Sequence, residues 1–314
     1  MACRAIRVVT TALLAAGQAI WLAGGFPSFP ISLVRAEESQ ALQVDDGVSF
    51  LRITEENDGE PRSLDTAIVR YATAPEASEG LTVDLVAAVH IGGDTYYETL
   101  NRLFKDYDAV LYELVAPEGN RIPKAGQKPS GAIGSAQQGL TNALGLAFQL
   151  EAVDYSPANF VHADLSPKQF DEAMQKRGES WWTMFSRLMR EGMAQARRKS
   201  AAGDTSGELG LGELFGLLFS SDRELQLRRI MAQQFTDMEV LTAAFGGENG
   251  STIITDRNAA AIDVMRQQVA RGRQRIAIFY GAAHMADFDE RLRRDFDLQP
   301  VETTWVEAWN LRDE

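Results

Sequence analysis

The chain has 314 residues, 45% hydrophobic and 24% charged, with 31 basic against 44 acidic side chains and a net charge of −13. That composition excludes collagen-like, disordered and multi-spanning membrane classes, and its acidic balance excludes a nucleic-acid backbone as partner, which needs a cationic surface. A single cysteine excludes an intramolecular disulfide framework and a thiolate-rich zinc site, and with only three histidines any imidazole chemistry runs through His90, His162 or His284.

Residues 1–36 read as an export signal. Arg4 and Arg7 precede a stretch from Val8 to Gly25 without charge, and Val34-Arg35-Ala36 offers a cleavage point before Glu37. The distance from Gly25 to Ala36 is long for such a signal, so an uncleaved membrane anchor is the alternative. Either way the expected location is exported: periplasmic, or membrane-associated through the N-terminus on the extracytoplasmic side. Cleavage removes Cys3 with Arg4, Arg7 and Arg35 and takes no acid, which deepens the negative charge.

Residues 37–314 read as one α/β domain with a mixed sheet. Val48 to Ile53 and Asp65 to Tyr71 are strand candidates, and Leu81 to Val89 is a nearly continuous apolar run of the kind that forms a fully buried strand. Gly92-Gly93-Asp94 is a turn whose aspartate is placed to cap a helix over about 95–105, with Tyr97, Leu100 and Phe104 on one stripe. Ala109 to Val115 is a second buried strand, closing a strand–helix–strand unit. The character changes over about 120–250, which reads as a large helical insertion. It holds a Gly-, Pro- and Ser-rich loop, an apolar helical pattern over Leu140 to Leu150, and a long helix opened by Ser166-Pro167. Beyond a basic cluster at Arg197-Arg198-Lys199, another helix opens at Ser221 and Glu224. The body resumes with a helix capped by Thr255 and closed at Arg271-Gly272. A buried strand over Arg275 to Tyr280, a helix from about Phe288 and a last alternating strand over Val301 to Trp309 complete it.

Two segments share a grammar. Val83 to Val89 runs into His90, and Ile276 to Tyr280 runs through Gly281-Ala282-Ala283 into His284, so each histidine follows an apolar strand. Glu113 lies within the third such run. Ligands of open α/β sheets gather at the carboxyl ends of strands, and two imidazoles with a carboxylate there make a half-exposed site for a divalent metal ion, with positions left for water and substrate. Such an ion lowers the pKa of bound water and polarises a carbonyl, which is metal-assisted hydrolysis. A glutamate ionised in a buried strand needs a cation, a metal or donors, and Arg257, in the first turn of its helix, is available. Otherwise Arg257 is a solvated helix-surface arginine. His162 and Asp164, just before the Ser166-Pro167 helix, are site-lining candidates; the bland alternative is that Asp164 organises the turn. Trp181-Trp182 reads as core or cap interface.

His90-Ile91-Gly92, Tyr112-Glu113, Arg257-Asn258 and Gly281-Ala282-Ala283-His284, in this order and spacing, resemble the TraB/PrgY/GumN family, which belongs with the Tiki proteins. The resemblance covers roughly 81–115 and 253–309. It implies a metal-dependent protease fold with His90 and His284 as metal ligands or catalytic histidines, Glu113 as ligand or general base, and Arg257 stabilising developing negative charge. Asn258 and Tyr280 then line the site. One departure stands out: Ala87 occupies the position where the family has glycine.

The expected function is an exported hydrolase, a peptidase by resemblance, using Mn, Co or Zn on a peptide or small-molecule substrate. The alternative is a non-catalytic protein that binds a peptide or ligand in the same cleft; a weaker one is haem or iron binding through histidine and tyrosine.

Overall fold

Apolar runs rich in β-branched residues need partners on both faces and along both edges, and this requirement sets the architecture. A computed structural model describes residues 48–73, 80–117, 144–180, 183, 186, 222–236 and 250–313. In chain order these form β1 (Leu51–Glu55), β2 (Pro61–Ala72), β3 (Thr82–Ala88), β4 (Ile91–Gly92), α1 (Asp94–Leu103), β5 (Ala109–Tyr112) and β6 (Ala147–Phe148). There follow α2 (Gln149–Ala152), β7 (Phe160–His162), α3 (Pro167–Arg177), α4 (Arg223–Thr236), α5 (Arg257–Ala270), β8 (Arg275–Gly281), α6 (Met285–Phe296) and β9 (Gln299–Asn310).

The result is an α/β fold around a mixed seven-stranded sheet. β3, β8, β5 and β7 lie side by side and parallel, in that order. Apart from their first residues β3 and β8 are buried throughout, and β5 is buried along its whole length, as expected of strands covered on both faces. β2 runs against its neighbours. One of its edges takes β1 along the first half and β3 along the second, while the other edge takes β9 almost end to end. β4 and β6 form a separate two-stranded ladder beside the main sheet. α6 packs on β3, α5 on β5, and α1 against β9.

Several expectations meet a different local solution. The strand–helix–strand unit exists, but β8 lies between β3 and β5, so α1 crosses over a neighbour rather than joining adjacent strands. α1 has Gly93 as its N-cap; Asp94 is inside the first turn, where its charge favours the helix dipole without capping it. Within the stretch read as helical, Phe160–His162 is a strand on the sheet edge, and the segment ending at Leu150 is divided between β6 and one helical turn. Ser166 does cap α3, in a reciprocal box with Gln169. α5 is preceded by a widened turn over Thr252–Asp256 that Ser251, not Thr255, caps by accepting from Ile254 N–H. Thr255 answers by accepting from Ser251 N–H at 3.0 Å. α6 begins at Met285, one residue after His284.

The N-terminal residues 1–36, the Trp181-Trp182 pair, the cluster at 197–199 and Ser221 lie outside the described residues. Among the described residues no helix is long and apolar enough to cross a membrane.

Candidate functional site

Four adjacent parallel strands end on one edge, and each delivers a polar side chain just beyond its last residue. β3 leads to His90, β8 to His284, β5 to Glu113, and β7 ends at His162 with Asp164 two residues on. Glu113 is therefore at a strand exit, not inside the strand. The cluster is buried rather than half-exposed: His284 is 0% exposed, Arg257 3% and Glu113 7%.

Arg257 organises the carboxylates. As first residue of α5 it is aimed at the sheet edge, where Nη2 reaches Glu113 Oε1 at 2.8 Å and Asp164 Oδ2 at 2.5 Å, while Nε donates to Asp164 Oδ1 at 3.0 Å. Burial opposes its charge, but Asp164 and then Glu113 outweigh that and raise its pKa. Asp164 also does the turn-organising work read from its position, accepting from Leu165 N–H at 2.7 Å. Glu113 Oε2 accepts from Gly281 N–H at 2.9 Å. Burial pushes the Glu113 carboxyl up, yet Arg257, His284 and His90 hold it down at about 2, so it is an anion at neutral pH.

His284 sits in the short turn after β8. Asn258 donates from its amide nitrogen to the His284 carbonyl at 3.0 Å and to Asp287 at 2.8 Å, which leaves Asn258 Oδ1 as an acceptor 2.6 Å from His284 Nδ1. Nδ1 thus carries the proton, and Nε2 presents a lone pair. Burial lowers the imidazole pKa to about 3, so no proton occupies that lone pair near neutrality. Glu113 Oε1 lies 3.6 Å from Nε2. Two buried lone pairs face each other with no hydrogen between them, and His284 Nε2 has no hydrogen-bond partner.

His90 Nε2 is likewise buried and makes no well-formed hydrogen bond, although the Gln149 side chain lies beside the ring as its hydrogen-bonding neighbour. Burial lowers its pKa too, against the pull of Glu113. Its turn is held by the carbonyls on either side: Tyr96 Oη donates to Ala87 O at 3.3 Å, Tyr97 Oη to Val89 O at 3.1 Å, Gln149 N–H to His90 O at 2.8 Å, and Trp309 Nε1–H to Ile91 O at 2.6 Å. Gly92 makes the arrangement possible, because a Cβ there would meet Tyr96 Cδ1 at 2.8 Å. Ala87 fits within a regular strand, so a glycine is not needed at that point.

The remaining candidates serve the framework. His162 Nε2 donates to the Leu114 carbonyl at 2.6 Å, tying β7 to the chain leaving β5. Tyr280 packs edge-on against the His284 ring at 5.1 Å, and its hydroxyl donates to the Ala163 carbonyl. Burial raises its pKa far above the ordinary tyrosine value, so it stays protonated. Gln149 and Tyr155 were not singled out by the sequence. Gln149 follows an apolar run and is spaced like the solvent side of a helix, and only the β4–β6 ladder turns it inward.

Among the described residues no group of three or more His, Cys, Asp or Glu side chains is placed to hold a metal ion. No family model, curated protein or solved structure matches the chain. Fold and site define an α/β protein with a buried imidazole–carboxylate–guanidinium cluster at the carboxyl edge of its sheet.

Proposed function

We propose that the chain is a divalent-metal-dependent hydrolase of the TraB/GumN type, exported and acting on a peptide or a similar acyl substrate. One observation carries the reading: His284 Nε2 and Glu113 Oε1 face each other at 3.6 Å with no proton between them. Two ligands of one tetrahedral ion, each about 2.0–2.2 Å from it, lie roughly 3.4 Å apart. A cation between the two atoms removes the repulsion that burial otherwise magnifies. His90, within the pull of Glu113, is the second imidazole available to it. Bound there, a Mn, Co or Zn ion supplies Lewis acidity and a water of lowered pKa.

The chain's own residues then divide the work. His90 and His284 would hold the ion, and Asn258 fixes the His284 tautomer from behind, a common outer-shell device. Glu113, ionised at neutral pH, would be the carboxylate ligand through Oε1, while its Oε2 is held by Gly281 N–H. Arg257 keeps Nη1 outside its pairs with Asp164 and Glu113, so a donor is left for negative charge growing on a carbonyl oxygen.

Metal analysis of the purified protein tests the reading. Stoichiometric Mn, Co or Zn that is lost in His90→Ala and His284→Ala supports it. Metal-free protein, in which Glu113→Gln changes no measured property, overturns it. A second reading, a binding protein without turnover, is favoured by the commitment of both Glu113 oxygens to Arg257 and Gly281; it predicts that metal and peptide bind while no peptide is cleaved. Haem or iron binding through histidine and tyrosine is the weaker reading, and the Tyr280 hydroxyl, spent on Ala163, does not serve it.

A further inference from the structure

Gln149 meets His90 through both its backbone and its side chain. The ladder that pairs Ile91–Gly92 with Ala147–Phe148 delivers Gln149 as first residue of α2, and its N–H holds the His90 carbonyl at 2.8 Å. Its buried side chain then lies beside the His90 ring as its hydrogen-bonding neighbour. Gln149 Oε1 and His90 Nε2 are the two atoms of this pair that still lack a well-formed hydrogen bond.

The carboxamide is tied down at its other end. Its nitrogen donates to Tyr155 Oη at 3.0 Å, and Tyr155 is itself buried against Tyr112, with ring centres 5.1 Å apart, and against Phe160 at 5.6 Å. With the nitrogen tethered there, Oε1 is the end left for the imidazole, and a carboxamide oxygen can only accept. Burial keeps the ring neutral at neutral pH, so it has a single proton to place, on Nδ1 or on Nε2. On Nδ1 that proton leaves Nε2 and Oε1 as two buried acceptors without a donor. On Nε2 it gives the oxygen its donor and leaves neither atom unmet.

We propose that Gln149 is a positioning residue for His90: its Oε1 accepts from Nε2–H and so leaves Nδ1 as the lone-pair nitrogen of the ring. His284 is set the other way round, since Asn258 Oδ1 holds its proton on Nδ1. A carboxamide therefore serves each strand-end imidazole, and the two rings keep opposite nitrogens unprotonated. The hydrogen bond made by one ring nitrogen decides what the other can do, and a carboxamide does not titrate, so the choice holds as pH changes. The purpose of the device rests on the hydrolase reading, in which each histidine offers one lone pair; its measurement does not.

Long-range 1H–15N correlation of the imidazoles in the chelator-treated full chain at neutral pH tests the proposal. Protonated and lone-pair ring nitrogens differ widely in shift, and with three histidines in the chain His90→Asn identifies the signals of residue 90. The parent is expected to show an Nε2–H pattern for His90 and an Nδ1–H pattern for His284. Gln149→Leu is expected to lose the His90 pattern, its two nitrogen shifts moving toward each other, while His284 keeps its own. Gln149→Glu keeps an acceptor oxygen and is expected to restore the Nε2–H pattern. A merely structural glutamine predicts an unchanged His90 pattern in Gln149→Leu, and that result overturns the proposal, as does a pattern lost equally in Gln149→Glu. An Nδ1–H pattern for His90 in the parent also overturns it, and needs no variant to fold. The Nε2–H pattern in a parent that binds no Mn2+, Co2+ or Zn2+ supports the role of Gln149 and overturns the hydrolase reading; bound metal with an Nδ1–H pattern for His90 does the reverse.

Discussion

His284 and Glu113 make the cluster sensitive to acid, and the direction follows from their proton affinities. Burial holds His284 neutral, with its pKa lowered from 6.5 to about 3, so between those values the unfolded chain binds a proton that the folded chain refuses. Stability therefore falls as pH drops from about 6.5 toward 3. Burial of His90 works in the same direction. Glu113, lowered from 4.5 to about 2 by Arg257 and the histidines against its burial, contributes fully above 4.5 and loses that contribution as pH falls toward 2. The urea midpoint of chelator-stripped protein is accordingly expected to decline on acidification below pH 6.5, and less steeply in His284→Asn over pH 6.5 to 5. A flat profile in the parent over that range would show that neither imidazole is held neutral by the fold. Arg257 shows how far the residue scale was legible. Its pairing with Glu113 was one of two readings the sequence left open, beside a solvated surface arginine, and Asp164 as its bidentate partner was not read at all. Nothing local distinguishes a turn aspartate from one that also receives an arginine from a helix ninety-three positions away.

At the scale of elements, the turn after β3 is built from outside. Four consecutive or near-consecutive carbonyls, on Ala87, Val89, His90 and Ile91, are each held by a donor from α1, α2 or β9. Trp309→Phe keeps an aromatic ring but removes the bond to Ile91 O and part of the buried indole's packing, leaving a buried carbonyl unmet. The expected cost is about 1–3 kcal/mol in denaturant unfolding, and a variant as stable as the parent would assign the turn's rigidity to the tyrosines alone. The strands β3, β5 and β8 were legible because long apolar β-branched runs have few other uses. β7 was not: Phe160–His162 has only three residues, too few for any periodicity, and its place on the sheet comes from β5. The cap at Ser251 was missed for a related reason, because the widened turn it opens shifts the helix start past Thr255 to Arg257.

The whole molecule is organised about β2. With β1 and β3 sharing one edge and β9 on the other, its amides are bonded on both sides along most of its length. Native-state hydrogen exchange is expected to be slowest in β2, β3 and β8 and faster in β7 and β9, which have a neighbour on one side only among the described residues. Exchange in β2 as fast as in β9 would mean that the antiparallel half opens independently of the parallel half. The same wiring has a consequence for the order of assembly. Thr82 pairs with Arg275, and the turn that presents His90 is closed by Trp309 from β9, the last of the described strands. During synthesis the N-terminal half therefore emerges with its central strand edge unpaired and the turn of its first histidine lacking the bond from Trp309. Contacts so distant along the chain make for slow folding. The site comes into being only when the two ends of the domain meet.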